Sequence, residues 1–272
     1  MSEHSYLHGF SPTEQNRLRE QAHLLEPHVY QHVPFHDHRK ILEVGCGVGA
    51  QTEILLRRYP KAHITGIDLN ERQLEAARAH LESLTWARGR WELHQMSADD
   101  MRFPAHSFDG AFLCWILEHV PSPARVLAEV RRMLRPGGDV MVTEVMNSSF
   151  FLDPYSPNVW KYWMAFNDFQ HDQAGDPFVG AKLGNLLSAV GFRHVHTRAR
   201  TLHYDNRHPE KRREIIAYWT DLLLSGADAL ISAGRVDQPT VDAVVRELKA
   251  VAGDPNAVFF YSFMQAHARA ES

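Results

Sequence analysis

The sequence predicts an α/β protein with a mainly parallel sheet and helices on both faces. Three observations carry this expectation. From Lys40 to Val145, short runs rich in Ile, Leu and Val alternate with stretches of helix-forming residues, the pattern of βαβ units. The first run leads into Gly45-Cys46-Gly47-Val48-Gly49, and a helical pattern starts just after it. Three successive runs end on or beside a carboxylate: Glu43, Asp68 and Asp99. Right-handed crossovers place the C-terminal ends of all such strands on one edge, where ligands of open α/β sheets bind.

Each element has a local reason. Ser11-Pro12-Thr13-Glu14 reads as a helix start, with Ser11 as cap, Pro12 in the first turn and Glu14 completing a capping box. Leu18, Ala22 and Leu25 recur at helical spacing, and the helix is expected to end near Pro27. A polar connector follows to Arg39. Strands are expected at Lys40–Val44, 62–67, 91–96, 108–113 and 140–145. Helices are expected at 52–59, 71–84 and 123–134, with a turn at Arg135-Pro136-Gly137-Gly138 before the fifth strand. After Met146 the alternation lapses into an aromatic, polar segment, 147–176. A helix over 178–190, a sixth strand over 192–204, helices over 209–224 and 239–251, and a last strand over 257–267 complete the expectation. This divides one domain, 1–272, into an N-terminal helix and connector (1–39), a ligand-binding core (40–145), cap insertions with helix and strand six (146–256) and a closing strand (257–272).

Composition narrows the function. With 44% hydrophobic residues the chain can bury a large core, which excludes wholesale disorder. Lys plus Arg is 29 against 33 for Asp plus Glu. That mild acidity disfavours a protein that grips many nucleic-acid phosphates. Two cysteines, Cys46 and Cys114, make no disulfide framework. The first ten residues lack the pattern of a secretory signal, and no apolar run approaches a membrane span; the expectation is a soluble, cytoplasmic monomer or homodimer. Of the 18 histidines, His28, His32, His36 and His38 cluster, but Pro27 and Pro34 interrupt the helix that would align them. No metal site is expected.

Glycines after a strand permit positive φ and let a ligand approach the backbone. Gly45, Gly47 and Ala50 also fit a dinucleotide fingerprint. Charge discriminates better than spacing. Glu43 beside the loop would repel a pyrophosphate, whereas Asp68 can accept from ribose hydroxyls and Asp99, or its neighbour Asp100, from an adenine amino group. Acids at successive strand ends suit a cationic nucleoside.

The set Ile41-Leu42-Glu43-Val44-Gly45-Cys46-Gly47-Val48-Gly49, Gly66-Ile67-Asp68, Ala98-Asp99, Phe108-Asp109, Leu117-Glu118-His119-Val120 and Leu134-Arg135-Pro136-Gly137-Gly138 resembles the class I S-adenosylmethionine-dependent methyltransferases. The resemblance is strongest over 40–145. It implies a Rossmann-like seven-stranded mixed sheet with one antiparallel strand near the edge, an N-terminal helical lid and helical cap insertions. It implies S-adenosylmethionine bound by Glu43, Gly45, Cys46, Gly47, Gly49, Asp68, Leu69, Gln73, Ala98, Asp99, Cys114 and Trp115, with Tyr6 and Arg17 reaching it from the lid. Arg17 would meet the cofactor carboxylate or remain a solvated helix charge; Gln21 is a weaker candidate. Cys46 is expected to be a loop filler. The spacing of His119 resembles that in phosphoethanolamine methyltransferases, which implies a catalytic pair of His119 and Tyr6.

Methyl transfer from a sulfonium is an in-line displacement in which charge disperses, so alignment and water exclusion matter most. An aromatic acceptor pocket from Tyr155, Trp160, Trp163 and Phe166 would serve, though packing against the sheet explains the same residues. Glu144 is the acid placed to bind an acceptor amine or hydroxyl. The expected partner is a small-molecule methyl acceptor, with no nucleic acid and no membrane. An NAD-type oxidoreductase and a non-catalytic S-adenosylmethionine-binding protein are the alternatives.

Overall fold

The structure, a computed structural model, describes residues 9–271. Helix α1 (Pro12–Val29) begins as its sequence dictates: the Ser11 hydroxyl accepts from the Glu14 N–H at 3.2 Å. It does not stop at Pro27. A proline this close to the end removes one hydrogen bond without breaking the last turn, and the Tyr30 N–H closes it on the Glu26 carbonyl at 3.1 Å.

The core then alternates as expected: β1 (Lys40–Val44), α2 (Ala50–Arg58), β2 (His63–Asp68), α3 (Glu71–Ser83), β3 (Trp91–Gln95), β4 (Phe108–Cys114), α4 (Pro123–Met133) and β5 (Leu134–Val145). Strand β5 starts six residues earlier than the sequence suggests. The Arg135-Pro136-Gly137-Gly138 segment is a distorted strand end rather than a free turn, because Gly137 and Gly138 exchange backbone hydrogen bonds with Ala270. Beyond it lie β6 (Phe151–Asp153), α5 (Pro157–Asp172), α6 (Leu183–Ala189), β7 (Arg193–Tyr204), α7 (Pro209–Ser225), α8 (Ala227–Ser232), α9 (Gln238–Gly253) and β8 (Val258–Arg269). The helix expected over 178–190 is a 3₁₀ turn, Val179–Lys182, followed by α6.

The strands form one sheet in the order β3-β2-β1-β4-β5-β8, with β7 on the far side of β8. The first five are parallel and β8 is antiparallel to β5. Seven long strands were expected; the eighth, β6, has three residues and pairs antiparallel with Phe259 and its neighbours on β8. It was illegible because three residues carry no periodicity.

Apolar cores fill both faces. Val126, Leu127, Val130, Leu183 and Leu187 bring α4 and α6 onto one face. On the other, α1 and α2 meet the cap, where Trp163, Ile215, Trp219 and Val244 join a single cluster with Phe112 and Phe259. Tyr30 at the end of α1 stacks on Phe112 at 5.3 Å and donates to Gln51 at 2.7 Å, which fixes α1 against the sheet. The stretch 209–232 is long and apolar enough to cross a membrane by length and composition alone, contrary to the sequence expectation that no such run exists. It is two helices broken at Gly226, with Ile215, Ile216, Trp219, Leu223 and Leu230 buried in the cap.

Candidate active site

A cavity of about 1300 Å³ runs along the C-terminal ends of β1, β2 and β4 and beneath α1, α5 and α7. That exceeds the ~300–1,000 Å³ of a pocket for one small ligand, so there is room for two.

The glycine loop forms one end. Gly45 has φ +73°, and a Cβ there would meet the Ile116 side chain at 2.8 Å, so only glycine fits. Gly47 has φ +51° and open space where a side chain would be, leaving its backbone accessible to a ligand. Its N–H donates to Asp68 Oδ2 at 2.9 Å, while Asp68 Oδ1 accepts from the Asn70 N–H at 2.9 Å. Burial pushes the Asp68 carboxyl up, against the pull of the Asn70, Gly47 and Leu69 N–H groups.

Glu43 lies behind the loop rather than on the cavity wall. It is fully enclosed and accepts from the Thr52 hydroxyl at 2.6 Å. Burial, opposed by Thr52 and reinforced by the Asp68 charge, pushes its carboxyl up to about 8. A raised carboxyl pKa means that its stabilising contribution is complete below the ordinary value of 4.5 and is lost as pH rises through 8. Glu43→Gln, which cannot ionise, should therefore gain thermal stability over the parent protein as pH is raised from 5 to 9, read as the difference between the two unfolding midpoints. A constant difference would show that folding does not raise the Glu43 carboxyl above its ordinary value.

Gly45, Cys46, Gly47, Asp68, Leu69, Gln73, Ala98, Asp99, Cys114 and Trp115 all line the cavity, as does Arg17. Gly49 does not; it caps α2. Asp99 accepts from the Ser97 hydroxyl at 2.5 Å and faces Arg125 at 3.7 Å. Burial raises both thiols, Cys46 and Cys114, well above their ordinary value, so neither is a nucleophile at neutral pH. The Arg17 guanidinium is clamped by Glu14 at 2.6 and 2.7 Å and donates to Gln21 at 2.9 Å. Trp115 sits at φ +55°, a left-handed conformation costing a bulky residue ~1–3 kcal/mol. Its N–H bonds to the Thr143 carbonyl at 2.9 Å and its ring meets Phe263 edge-on at 5.9 Å.

The far end is an aromatic chamber. Trp163 and Phe166 stack at 5.4 Å, and Trp163 and Tyr261 both pack on Trp219, at 5.6 and 4.7 Å. His119 lines this end with its Nε2 3.7 Å from Glu118 Oε1. Tyr6, its expected partner, lies outside the described residues.

Three expected acceptor residues do not reach the cavity. Glu144 is fully buried behind it: its Oε1 accepts from the Ile116 and Leu117 N–H groups at 3.0 and 2.7 Å. Burial, with the Glu118 charge nearby, pushes its carboxyl well above the usual range. Tyr155 is 74% exposed outside the cavity, and Trp160 packs on Phe150 at 5.8 Å. The sequence reading missed Glu118, Asn147, Gln170, Tyr218, Trp219 and Tyr261 as cavity residues. Only Glu118 had a signal, its place beside His119.

Among the described residues no group of three metal-ligating side chains converges. The clustered histidines part company: His28 bonds Tyr204 at 3.0 Å, whereas His38 faces Asp139 at 3.1 Å across the sheet's opposite edge.

The site suits S-adenosylmethionine on its own chemistry: a positive-φ loop with an open backbone, flanked by Asp68 and Asp99 and backed by Glu43. Comparison with known proteins agrees. Residues 42–142 match the family model of the methyltransferase domain. This segment is a class I S-adenosylmethionine-dependent methyltransferase domain. The chain is 33% identical over 145 residues to a ubiquinone biosynthesis O-methyltransferase of Pseudomonas aeruginosa, covering 53% of this chain and 55% of the relative. It thus spans about half the length of the curated relatives it matches. Among solved structures it resembles a putative methyltransferase of Haloferax volcanii bound to the Trm112 activator (TM-score 0.62, 15% identity, 97% and 96% of the two chains). It also resembles a Haemonchus contortus phosphoethanolamine N-methyltransferase in complex with phosphomonomethylethanolamine and S-adenosylhomocysteine (TM-score 0.58, 15% identity, 93% and 53%). These likenesses establish the fold.

Proposed function

We propose that the chain, read as one domain over 1–272, transfers the S-adenosylmethionine methyl group to an oxygen or nitrogen of a small molecule. The observation that carries this reading is the continuity of the cavity: the glycine loop, Asp68 and Asp99 share one cavity with a chamber of aromatic side chains. Asp68, Asp99, Gly45 and Gly47 would hold the cofactor, with Cys114 and Trp115 beside its methionine end. Trp163 and Phe166 would wall the acceptor. The name of the Pseudomonas aeruginosa relative favours oxygen as the acceptor atom. The mild acidity of the chain favours a small molecule over nucleic acid, and cytoplasmic action as a monomer or homodimer accords with this reading.

In the reaction the acceptor atom bonds to the methyl carbon, the carbon–sulfur bond breaks with its electron pair going to sulfur, and the acceptor proton is lost. His119, an imidazole at the acceptor end, is proposed to take that proton, in concert with Tyr6. His119→Ala should lower turnover at least tenfold while S-adenosylhomocysteine affinity stays within twofold, measured by radiolabelled transfer and calorimetry. Unchanged turnover removes His119 from the mechanism. A thermal-shift panel tests the reading itself: stabilisation by S-adenosylmethionine and S-adenosylhomocysteine but not by NAD is expected, and preference for NAD overturns it.

A further inference from the structure

We propose that Glu118, tied down by Gln170, orients the methyl acceptor and selects a neutral, hydroxyl-bearing, largely apolar molecule over one carrying a carboxylate or phosphate. The inference rests on the methyltransferase reading and deepens it at the acceptor end of the same cavity.

Glu118 is 8% exposed yet lines the cavity. Its backbone carbonyl accepts from the Asp176 N–H at 2.8 Å, and its Oε2 accepts from Gln170 Nε2 at 2.8 Å. Side chain and main chain are thus both fixed. A carboxylate can accept about four hydrogen bonds, so Glu118 has capacity to spare. Gln170 is 6% exposed, and its Oε1 is buried with no hydrogen-bond partner among the described residues. Two acceptors short of donors therefore stand side by side on a cavity wall. An unmade hydrogen bond at a buried polar group costs ~1–3 kcal/mol, so a ligand that brings a donor is favoured.

The surroundings decide which donor. Trp163, Phe166, Trp219, Tyr261 and Phe263 make this end apolar. Of the arginines among the described residues that line the cavity, Arg17 is paired with Glu14 at 2.6 Å, Arg125 faces Asp99 at 3.7 Å, and Arg72 stands on α3 beside Asn70 at the glycine-loop end. A carboxylate or phosphate entering here would meet the Glu118 charge. An amine fares poorly for another reason: a neighbouring carboxylate favours the protonated ammonium, which has no lone pair to attack the sulfonium carbon. A hydroxyl donates its hydrogen to Glu118 and keeps a lone pair for the methyl group. As the oxygen–carbon bond forms and the carbon–sulfur bond breaks toward sulfur, the hydroxyl that Glu118 orients gives up its proton to His119, whose Nε2 is 3.7 Å from Glu118 Oε1.

Three probes on one ring scaffold test this: 2-naphthol, 2-methoxynaphthalene and 2-naphthoate, titrated calorimetrically into the full chain saturated with S-adenosylhomocysteine. The parent protein should bind 2-naphthol at least tenfold more tightly than either other probe. Glu118→Leu should bring 2-naphthol and 2-methoxynaphthalene within twofold of each other. Glu118→Gln, which keeps an acceptor but no charge, should narrow the gap to 2-naphthoate at least tenfold. Both variants should bind S-adenosylhomocysteine as the parent does; if Glu118→Leu does not fold, Glu118→Gln alone decides. Equal binding of naphthol and naphthoate by the parent, or unaltered discrimination in Glu118→Gln, overturns the inference and leaves the methyltransferase reading standing. Failure of the parent to bind S-adenosylhomocysteine overturns that reading and this inference with it.

Discussion

Asp68→Ala is expected to weaken S-adenosylhomocysteine binding at least ~100-fold. The side chain has two tasks that the substitution removes together. It supports the glycine loop through the Gly47 N–H at 2.9 Å and the turn after β2 through the Asn70 N–H at 2.9 Å. It also presents a carboxylate at the strand end where a ribose would lie. Hydrogen bonds to a charged group contribute ~1.5–3 kcal/mol each, and each 1.4 kcal/mol is about tenfold in affinity, so two lost ribose bonds alone account for a factor of this size. Asp68→Asn should fall between, because an amide accepts with only one of its two heads and turns an NH₂ toward one of the backbone donors. Calorimetry with S-adenosylhomocysteine is the measurement. A loss below fivefold in Asp68→Ala would remove Asp68 as the nucleoside anchor.

The second large effect is on stability. Glu144→Ala should cost ~2–5 kcal/mol, while Glu144→Gln should cost less than about 1 kcal/mol. The difference follows from what Oε1 does: it satisfies the buried N–H groups of Ile116 and Leu117 at 3.0 and 2.7 Å. Alanine leaves both donors without a partner, at ~1–3 kcal/mol each. Glutamine keeps the carbonyl, and burial shifts the Glu144 carboxyl toward its uncharged form, so the neutral amide is a close substitute. At ~2–4 °C per kcal/mol for a chain of this size, the alanine variant should melt roughly 5–15 °C lower. Because the anchored loop carries Trp115, Glu118 and His119, methyl transfer should fall with it. Equal melting of the two variants would show that the loop is held by other contacts.

Glu144 also marks where sequence reasoning went astray. It ends a strand whose neighbours deliver cavity residues, and by position it looked like an acceptor ligand. Alternation along β5 turns its side chain toward the 116–117 backbone instead. The aromatic segment divided similarly. Trp163 and Phe166, three apart on α5, share the face turned to the cavity. Trp160, three residues before Trp163, packs against Phe150 outside it, and Tyr155 precedes the helix in solvent. Spacing placed these residues on a helix; which part of that face meets the cavity depends on how α5 leans on α9 and the sheet.

The sequence by itself determined the parallel core, the glycine loop and the edge along which Asp68 and Asp99 lie. These follow from short-range rules: strand and helix periodicity, glycine's access to positive φ, and the fixed hand of βαβ crossovers. Only the tertiary structure decided the aromatic chamber, the buried positions of Glu43 and Glu144, and the pairing of Glu118 with Gln170. Those depend on side chains from β4's loop, α5, α7 and β8 meeting across long stretches of chain, and no local pattern encodes which of them will touch.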